Sequence, residues 1–269
     1  MENKMKKIGF IGCGNMATAM ISGMLESGKV TADAVIASAK TDATREKIKN
    51  TLKIQTAETN QKVLEFADIV FLAVKPQYFE EVLGEIKDSV REDQIFVSIA
   101  PGKTLSWLEE RLGSTTKIVR TMPNTPAMVK EGMTGLCKNK NVTQEEIEEV
   151  SVLCDSFGKT EIVPEALIDV VVGVSGSSPA YVFLFLEAMA DAAVADGMPR
   201  KQAYKFAAQA VMGSAKLMLE TGEHPGVLKD MVCSPGGTTM EAVRVLEEKG
   251  FRSSVIEAMK ACVRKARGL

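Results

Sequence analysis

Short apolar runs alternate with helix-like stretches through the first half of the chain. "KIGFI", "AVIAS", "DIVFLAV", "QIFVSI" and "KIVRTM" are β-branched or aromatic runs of strand length. Between them lie helical patterns such as Asn15 to Ser27 and Gln61 to Phe66. Alternation of this kind predicts βαβ crossovers and a mainly parallel sheet. "MTGLCK" and "TEIVP" follow as additional edge strands. Past Pro164 the pattern becomes helical, so the expected domains are 1–164 and 165–269. Ser178 and Pro179 open one helix and Gly197 stops it. Pro199 opens a second, which Gly222 ends; Thr238 or Thr239 caps a third that runs to Gly250, and a fourth closes the chain.

Two helical stretches lack a clear polar stripe. The most hydrophobic region, Val170 to Leu186, is interrupted by "GVSGSSP" and followed by Glu187 and Asp191. It reads as a buried helix rather than a membrane span. "FAAQAVMGSAKLMLE", in the helix from Pro199 to Thr221, is small or apolar on nearly every face. A helical domain of this size buries such a helix poorly by itself, so a subunit interface is favoured over a core position.

Composition narrows the function. The 269 residues are 45% hydrophobic and 25% charged with a net charge of -2, ordinary for a soluble globular protein. No global positive field recruits nucleic acid or acidic lipid. Five cysteines, at 13, 137, 154, 233 and 262, form no CxxC pair, which suits reduced thiols and a cytoplasmic location. "MENKMKK" leads directly into a strand-like run, with no apolar signal segment. The single histidine, His224, excludes the usual His-rich metal sites, and its place in "GEHPGV" reads as a turn.

Two glycine-rich turns carry the candidate chemistry. Gly12-Cys13-Gly14-Asn15-Met16-Ala17 has the G-x-G-x-x-A form that grips a dinucleotide, and it follows a strand and opens a helix. Gly12 makes the tight turn, Gly14 lets a pyrophosphate approach, and Ala17 permits close packing. The second strand ends in Ser38-Ala39-Lys40, with no acid until Asp42 and a cation at Arg45. Hydroxyls and cations there favour NADP(H), with NAD(H) also allowed. "LAVKPQ" ends another strand at the carboxyl edge of the sheet, with Lys75 facing the cofactor or capping the edge. "SIAPGKT", which contains Ala100, and "MPNTPA" complete a ring of loops. The second turn, "CSPGGTT", runs into a helix whose first N–H groups form an anion site.

"GFIGCGNMA", "FLAVKPQ", "RTMPNTPA", "GSSPAY" and "CSPGGTT" occur in an order and at spacings that resemble the pyrroline-5-carboxylate reductase family across essentially the whole chain. The resemblance implies an α/β fold: a Rossmann-type dinucleotide-binding N-terminal domain and an all-helical C-terminal dimerisation domain. It implies an interlocked homodimer, often assembled further into a decamer. The active site then lies between the cofactor domain of one subunit and the helical domain of its partner. Cofactor contacts map onto Ile11, Gly12, Cys13, Gly14, Asn15 and Met16, then Ser38, Ala39 and Asn60, and Ala73, Val74, Lys75 and Pro76. Contacts to the substrate carboxylate map onto Ser234, Thr238 and Thr239. Some members carry Asn where this chain has Met231.

The implied reaction is reduction of a cyclic imine to proline, the last step of proline biosynthesis, with the carboxylate held on the N–H groups of Gly237, Thr238 and Thr239. The Thr239 hydroxyl is the side chain expected to act at the site. Reducing an imine leaves a neutral amine, which agrees with a chain so poor in histidine. Two other readings share parts of this pattern. A hydroxyacid dehydrogenase would need a proton donor, with Lys159 or Lys205 available by type. A non-catalytic NADP-binding sensor would keep "GCGNMA" and gain nothing from the second turn.

Overall fold

The computed structural model describes residues 6–268, so "MENKM" and Leu269 lie outside the described residues. Within them the strands are β1 (Ile8–Ile11), β2 (Val35–Ser38), β3 (Gln55–Ala57), β4 (Ile69–Leu72), β5 (Ile95–Ser98), β6 (Lys117–Met122), β7 (Gly132–Lys138) and β8 (Gly158–Ile162). They form one sheet in the order β3-β2-β1-β4-β5-β6-β7-β8. The first six are parallel, β7 runs antiparallel to β6, and β8 is parallel to β7. The chain winds outward from β1 in both directions, so the switch point falls between β1 and β4. Ligands of doubly wound sheets bind beyond the carboxyl ends of the strands at that point.

Helices α1 (Asn15–Glu26), α2 (Asp42–Leu52), α3 (Asn60–Phe66), α4 (Phe79–Ile86), α5 (Leu105–Leu112) and α6 (Gln144–Cys154) accompany the sheet. Apolar side chains build a core on each sheet face. Ile8, Phe10, Phe71 and Val97 gather with α1 and α6 residues, and the Phe10 and Phe71 rings stack with centroids 4.7 Å apart. Ile11, Val70, Leu72 and Phe96 gather with residues of α3, α4 and α5. The helix starts follow simple chemistry: Thr41, Thr59, Thr104 and Thr143 each accept a backbone N–H of the following turn. Thr143 and Glu146 complete a reciprocal capping box.

The change of texture at Pro164 does not coincide with the division into compact units. One unit comprises 1–177 with 262–269, the other 178–261. The segment after Pro164 stays with the sheet because it answers a buried charge. Arg120, on β6, is 2% exposed; it donates to Glu165 Oε1 at 3.2 Å and to Asp169 Oδ1 at 3.1 Å. Ile168 is buried on the short helix α7 (Ile168–Val171), and Asn124 Nδ2 donates to the Ser175 carbonyl at 3.0 Å. A wide π-type turn, Val172–Gly176, ends the segment.

The second unit contains α8 (Ser178–Ala195), α9 (Arg200–Thr221), α10 (Pro225–Val232) and α11 (Thr238–Glu248), and α12 (Phe251–Ala266) begins in it. Gly197, Gly222 and Gly250 take positive φ at the expected helix stops. Three expectations need correction. His224 does not sit in a plain turn: its Nδ1 accepts the Gly226 N–H at 3.1 Å and caps α10, a helix that no long apolar pattern announces. Gly237, not Thr238 or Thr239, is the cap residue of α11. The Val170 to Leu186 region is only partly buried in the single chain: Val172 and Gly173 are buried, but within α8 Ala190 is the one buried residue and Phe183 is 62% exposed. On α9, Ala203 and Ala207 are buried while Leu219 is 84% exposed. So few helices cannot cover these apolar faces by themselves. By length and composition Glu165–Ala195 is apolar enough to cross a membrane.

Candidate active site

The first glycine turn is fixed by its neighbours just past the end of β4. Gly12 has φ +87°, and a Cβ there would meet Val74 Cγ1 at 2.7 Å and the Ala73 carbonyl oxygen at 3.0 Å. A side chain is excluded by both dihedral and space. The Ala73 N–H donates to the Ile11 carbonyl at 2.9 Å, which holds Ile11, Gly12, Ala73 and Val74 together at the switch point. Gly14 is the N-cap of α1, with no side-chain cap, and a Cβ on it would meet nothing within 4 Å. The open space lies where an anion could reach the first-turn amides of Asn15, Met16 and Ala17. Ala17 itself is 1% exposed and packs into the core. The residues present therefore fit a dinucleotide pyrophosphate.

Cys13 is half-buried beside Thr18, and burial pushes its thiol above the usual range. It is a packed neutral group rather than a nucleophile. Ser38 is buried at the end of β2, where its hydroxyl donates to Asn60 Oδ1 at 2.7 Å and accepts the Gly12 N–H at 3.4 Å. Ser38, Asn60 and the glycine turn are thus brought together. The strand-end cations are less free than their sequence positions suggest. Arg45 donates to the Ala39 carbonyl at 2.7 Å and pairs with Asp42. Lys40 is exposed with its Nζ 5.9 Å from the Tyr78 ring centre.

Lys75 is exposed ahead of Pro76 and begins a short 3-10 turn, its carbonyl accepting the Tyr78 N–H at 2.9 Å. Ala100 is buried in the core with Leu72 and Phe96, and its N–H donates to Ser98 Oγ at 3.4 Å. In "MPNTPA", Asn124 ties the loop down: besides its bond to Ser175, its Oδ1 accepts the Met133 N–H at 2.8 Å. Lys159 lies on the edge strand β8 and Lys205 on α9, both exposed.

The second turn is centred on proline and glycine. Gly237 N–H donates to the Ser234 carbonyl at 3.0 Å, closing a tight turn with Pro235 and Gly236 at its centre. Gly236 has φ +70°, the left-handed position that a type II turn demands. The Gly237 N–H, expected to hold an anion, is therefore already engaged in the turn. The available amides begin one residue later, at Thr238 and Thr239, and extend to Met240 in the first turn of α11. A Cβ on Gly237 would meet Ser234 Oγ at 2.5 Å, so the glycine lets the Ser234 side chain fold over the turn. As with α1, no side chain caps α11.

Sequence reasoning did not single out Glu85, Asn124 or Arg120. Each acts on a residue 25 or more positions away, a distance at which no local pattern speaks.

A family profile described as pyrroline-5-carboxylate reductase dimerisation matches residues 165–269, and one described as NADP oxidoreductase, coenzyme F420-dependent, matches 7–102. The chain is 56% identical over 264 residues to the pyrroline-5-carboxylate reductase of Escherichia coli strain K12, covering 98% of each. Among solved structures it is similar to a pyrroline-5-carboxylate reductase from Coxiella burnetii, with 34% identity, TM-score 0.92 and 98% of each chain covered. It is also similar to the Plasmodium falciparum pyrroline carboxylate reductase, crystallised with NADP bound. There the identity is 32%, the TM-score 0.89, and coverage 100% of this chain and 98% of the other.

Proposed function

The chain belongs to the pyrroline-5-carboxylate reductase family, and on that premise we propose that it reduces the C=N bond of 1-pyrroline-5-carboxylate to give L-proline, completing proline biosynthesis. The observation that carries this reading is the pair of glycine-capped helix starts, one at the sheet switch point and one after "SPGG". NADPH supplies the hydride, with NADH as an alternative donor.

The protein's part is orientation and charge. Gly12 and Gly14 open the way for a pyrophosphate onto the Asn15 and Met16 amides, where the positive end of the α1 dipole adds to the attraction. Ser38 and Asn60 would hold the ribose nearest the adenine. The edge from Ala73 to Pro76 and the Ala100 backbone would border the nicotinamide. On α11 the amides of Thr238, Thr239 and Met240, with the Thr239 hydroxyl, hold the substrate carboxylate. Each charge-assisted bond contributes roughly 1.5–3 kcal/mol, enough for two or three to orient so small a ligand. A protonated imine is already electrophilic, and the product nitrogen is a neutral amine, so no oxyanion needs a proton donor. Ser234 shapes the turn that presents these groups.

The exposed faces of α8 and α9 are those a second copy would cover, which supports a homodimer, with a pentamer of such dimers as the larger assembly. This also accounts for the apolar run Glu165–Ala195 without a membrane. The five free thiols support a cytoplasmic enzyme.

The test is loss of NADPH absorbance on adding 1-pyrroline-5-carboxylate, with proline identified as product and the assembly sized by light scattering. Turnover confined to 2-keto acids, or dinucleotide binding without turnover of any imine, would refute the reading.

A further inference from the structure

At the carboxyl end of β2 three hydrogen bonds run head to tail away from the glycine turn. The Gly12 N–H donates to Ser38 Oγ at 3.4 Å, Ser38 Oγ donates to Asn60 Oδ1 at 2.7 Å, and Asn60 Nδ2 donates to Glu85 Oε2 at 2.8 Å. All three donors point toward the Glu85 carboxylate.

Their common direction has a chemical cause. An ionised carboxylate only accepts, so Asn60 must turn its nitrogen toward Glu85 and therefore its oxygen toward Ser38. A serine hydroxyl has one proton, and here it is committed to Asn60. What Ser38 presents at the strand end is then an acceptor. A ribose 2′-hydroxyl can donate to that oxygen. A 2′-phosphate, mostly doubly ionised at neutral pH, has nothing to donate.

We propose that Glu85 is a positioning residue for the choice between the two dinucleotides. By fixing the Asn60 amide it keeps Ser38 in the accepting state, and so limits the advantage of NADPH over NADH. This rests on the dinucleotide-binding reading above. Without Glu85 the Asn60 amide is free to turn over. Its nitrogen can then donate to Ser38 Oγ, releasing the serine proton toward a phosphate. The nearby cations leave room for such control, since Arg45 is engaged by Asp42 and the Ala39 carbonyl and Lys40 rests over Tyr78.

Glu85 is exposed on α4, and alanine is a good helix former, so Glu85→Ala leaves the fold intact. The experiment is fluorescence titration of NADPH and of NADH into the full-length protein with no imine present. It compares the parent, Glu85→Ala, Ser38→Ala and the double variant. The expected result is a shift of the affinity ratio toward NADPH by about tenfold in Glu85→Ala, the size of one hydrogen bond to a charged group. In the Ser38→Ala background the same change should move the ratio by less than about twofold, because the hydroxyl it acts through is gone. An equal shift in both backgrounds would assign the effect to Glu85 charge acting through space and overturn the relay. No shift in either would overturn it as well. A parent that binds neither dinucleotide would sink the functional reading itself, and this inference with it.

Discussion

The two glycine turns solve the same problem by different means. Each places a glycine at the N-cap of a helix without a side-chain acceptor, whereas α2, α3, α5 and α6 all begin with a capping threonine. A threonine cap satisfies one first-turn amide from within, while a glycine cap leaves the amides for an outside anion. The first turn inherits its rigidity from the sheet, since Ile11 is fully buried and Gly12 is wedged against Val74 and Ala73. The second takes its shape from the Pro235-Gly236 turn, on helices that leave much apolar surface in solvent. Uncapped first-turn amides can thus be presented from a core or by local turn chemistry.

That contrast can be broken by substitution, and the largest effect belongs to the core-held turn. Gly12→Ala meets both a positive φ and a clash with backbone and side chain. It should cost roughly 2–4 kcal/mol of stability and abolish dinucleotide binding; urea unfolding and NADPH fluorescence check both. A variant as stable as the parent would show that the turn is not wedged. Thr239→Ala should raise KM for the imine about tenfold and leave the urea midpoint unmoved. Unchanged kinetics would remove Thr239 from the site. Gly236→Ala adds only left-handed strain in open space, so it should cost about 1 kcal/mol and weaken imine binding more than NADPH binding. Equal effects on both ligands would erase the distinction between the turns.

A smaller effect concerns buried thiols of the sheet unit. Burial pushes the Cys137 thiol up to about 12 and that of Cys154 higher still, against an ordinary value of 9.0. A thiol raised in the folded state stabilises fully below the unfolded value. That contribution is lost as pH climbs from about 9 toward the folded values, because only the unfolded chain ionises there. Between pH 8 and 9.5 each should cost somewhat under 1 kcal/mol. Cys137→Ala should flatten the slope of urea stability against pH, and an unaltered slope would deny that Cys137 is buried neutral.

The parallel strands and the first turn were legible because buried strands are continuous apolar runs and G-x-G-x-x-A has a fixed place after one. β3, three residues with one buried, has no such run. Pro164 marks a real change of texture, yet the buried Arg120 recruits Glu165 and Asp169 back to the sheet, pairings across 45 and 49 residues that no window detects. The "SPGG" motif announced a turn before a helix, but which amide closes it depends on geometry: Gly237 was expected among the anion donors, whereas its N–H closes the turn, and the uncommitted first-turn amides begin at Thr238. The Ser38–Asn60–Glu85 chain joins three separate elements and leaves no trace in spacing.

The most direct test asks whether the second turn holds a carboxylate. Values of kcat/KM would be measured for 1-pyrroline-5-carboxylate and for 1-pyrroline, the same imine without the acid, in the parent and in Thr239→Ala. The account predicts a large preference for the acid in the parent. In Thr239→Ala that preference should shrink about tenfold, through loss on the carboxylated substrate alone. Equal loss on both imines, or no preference in the parent, would contradict it.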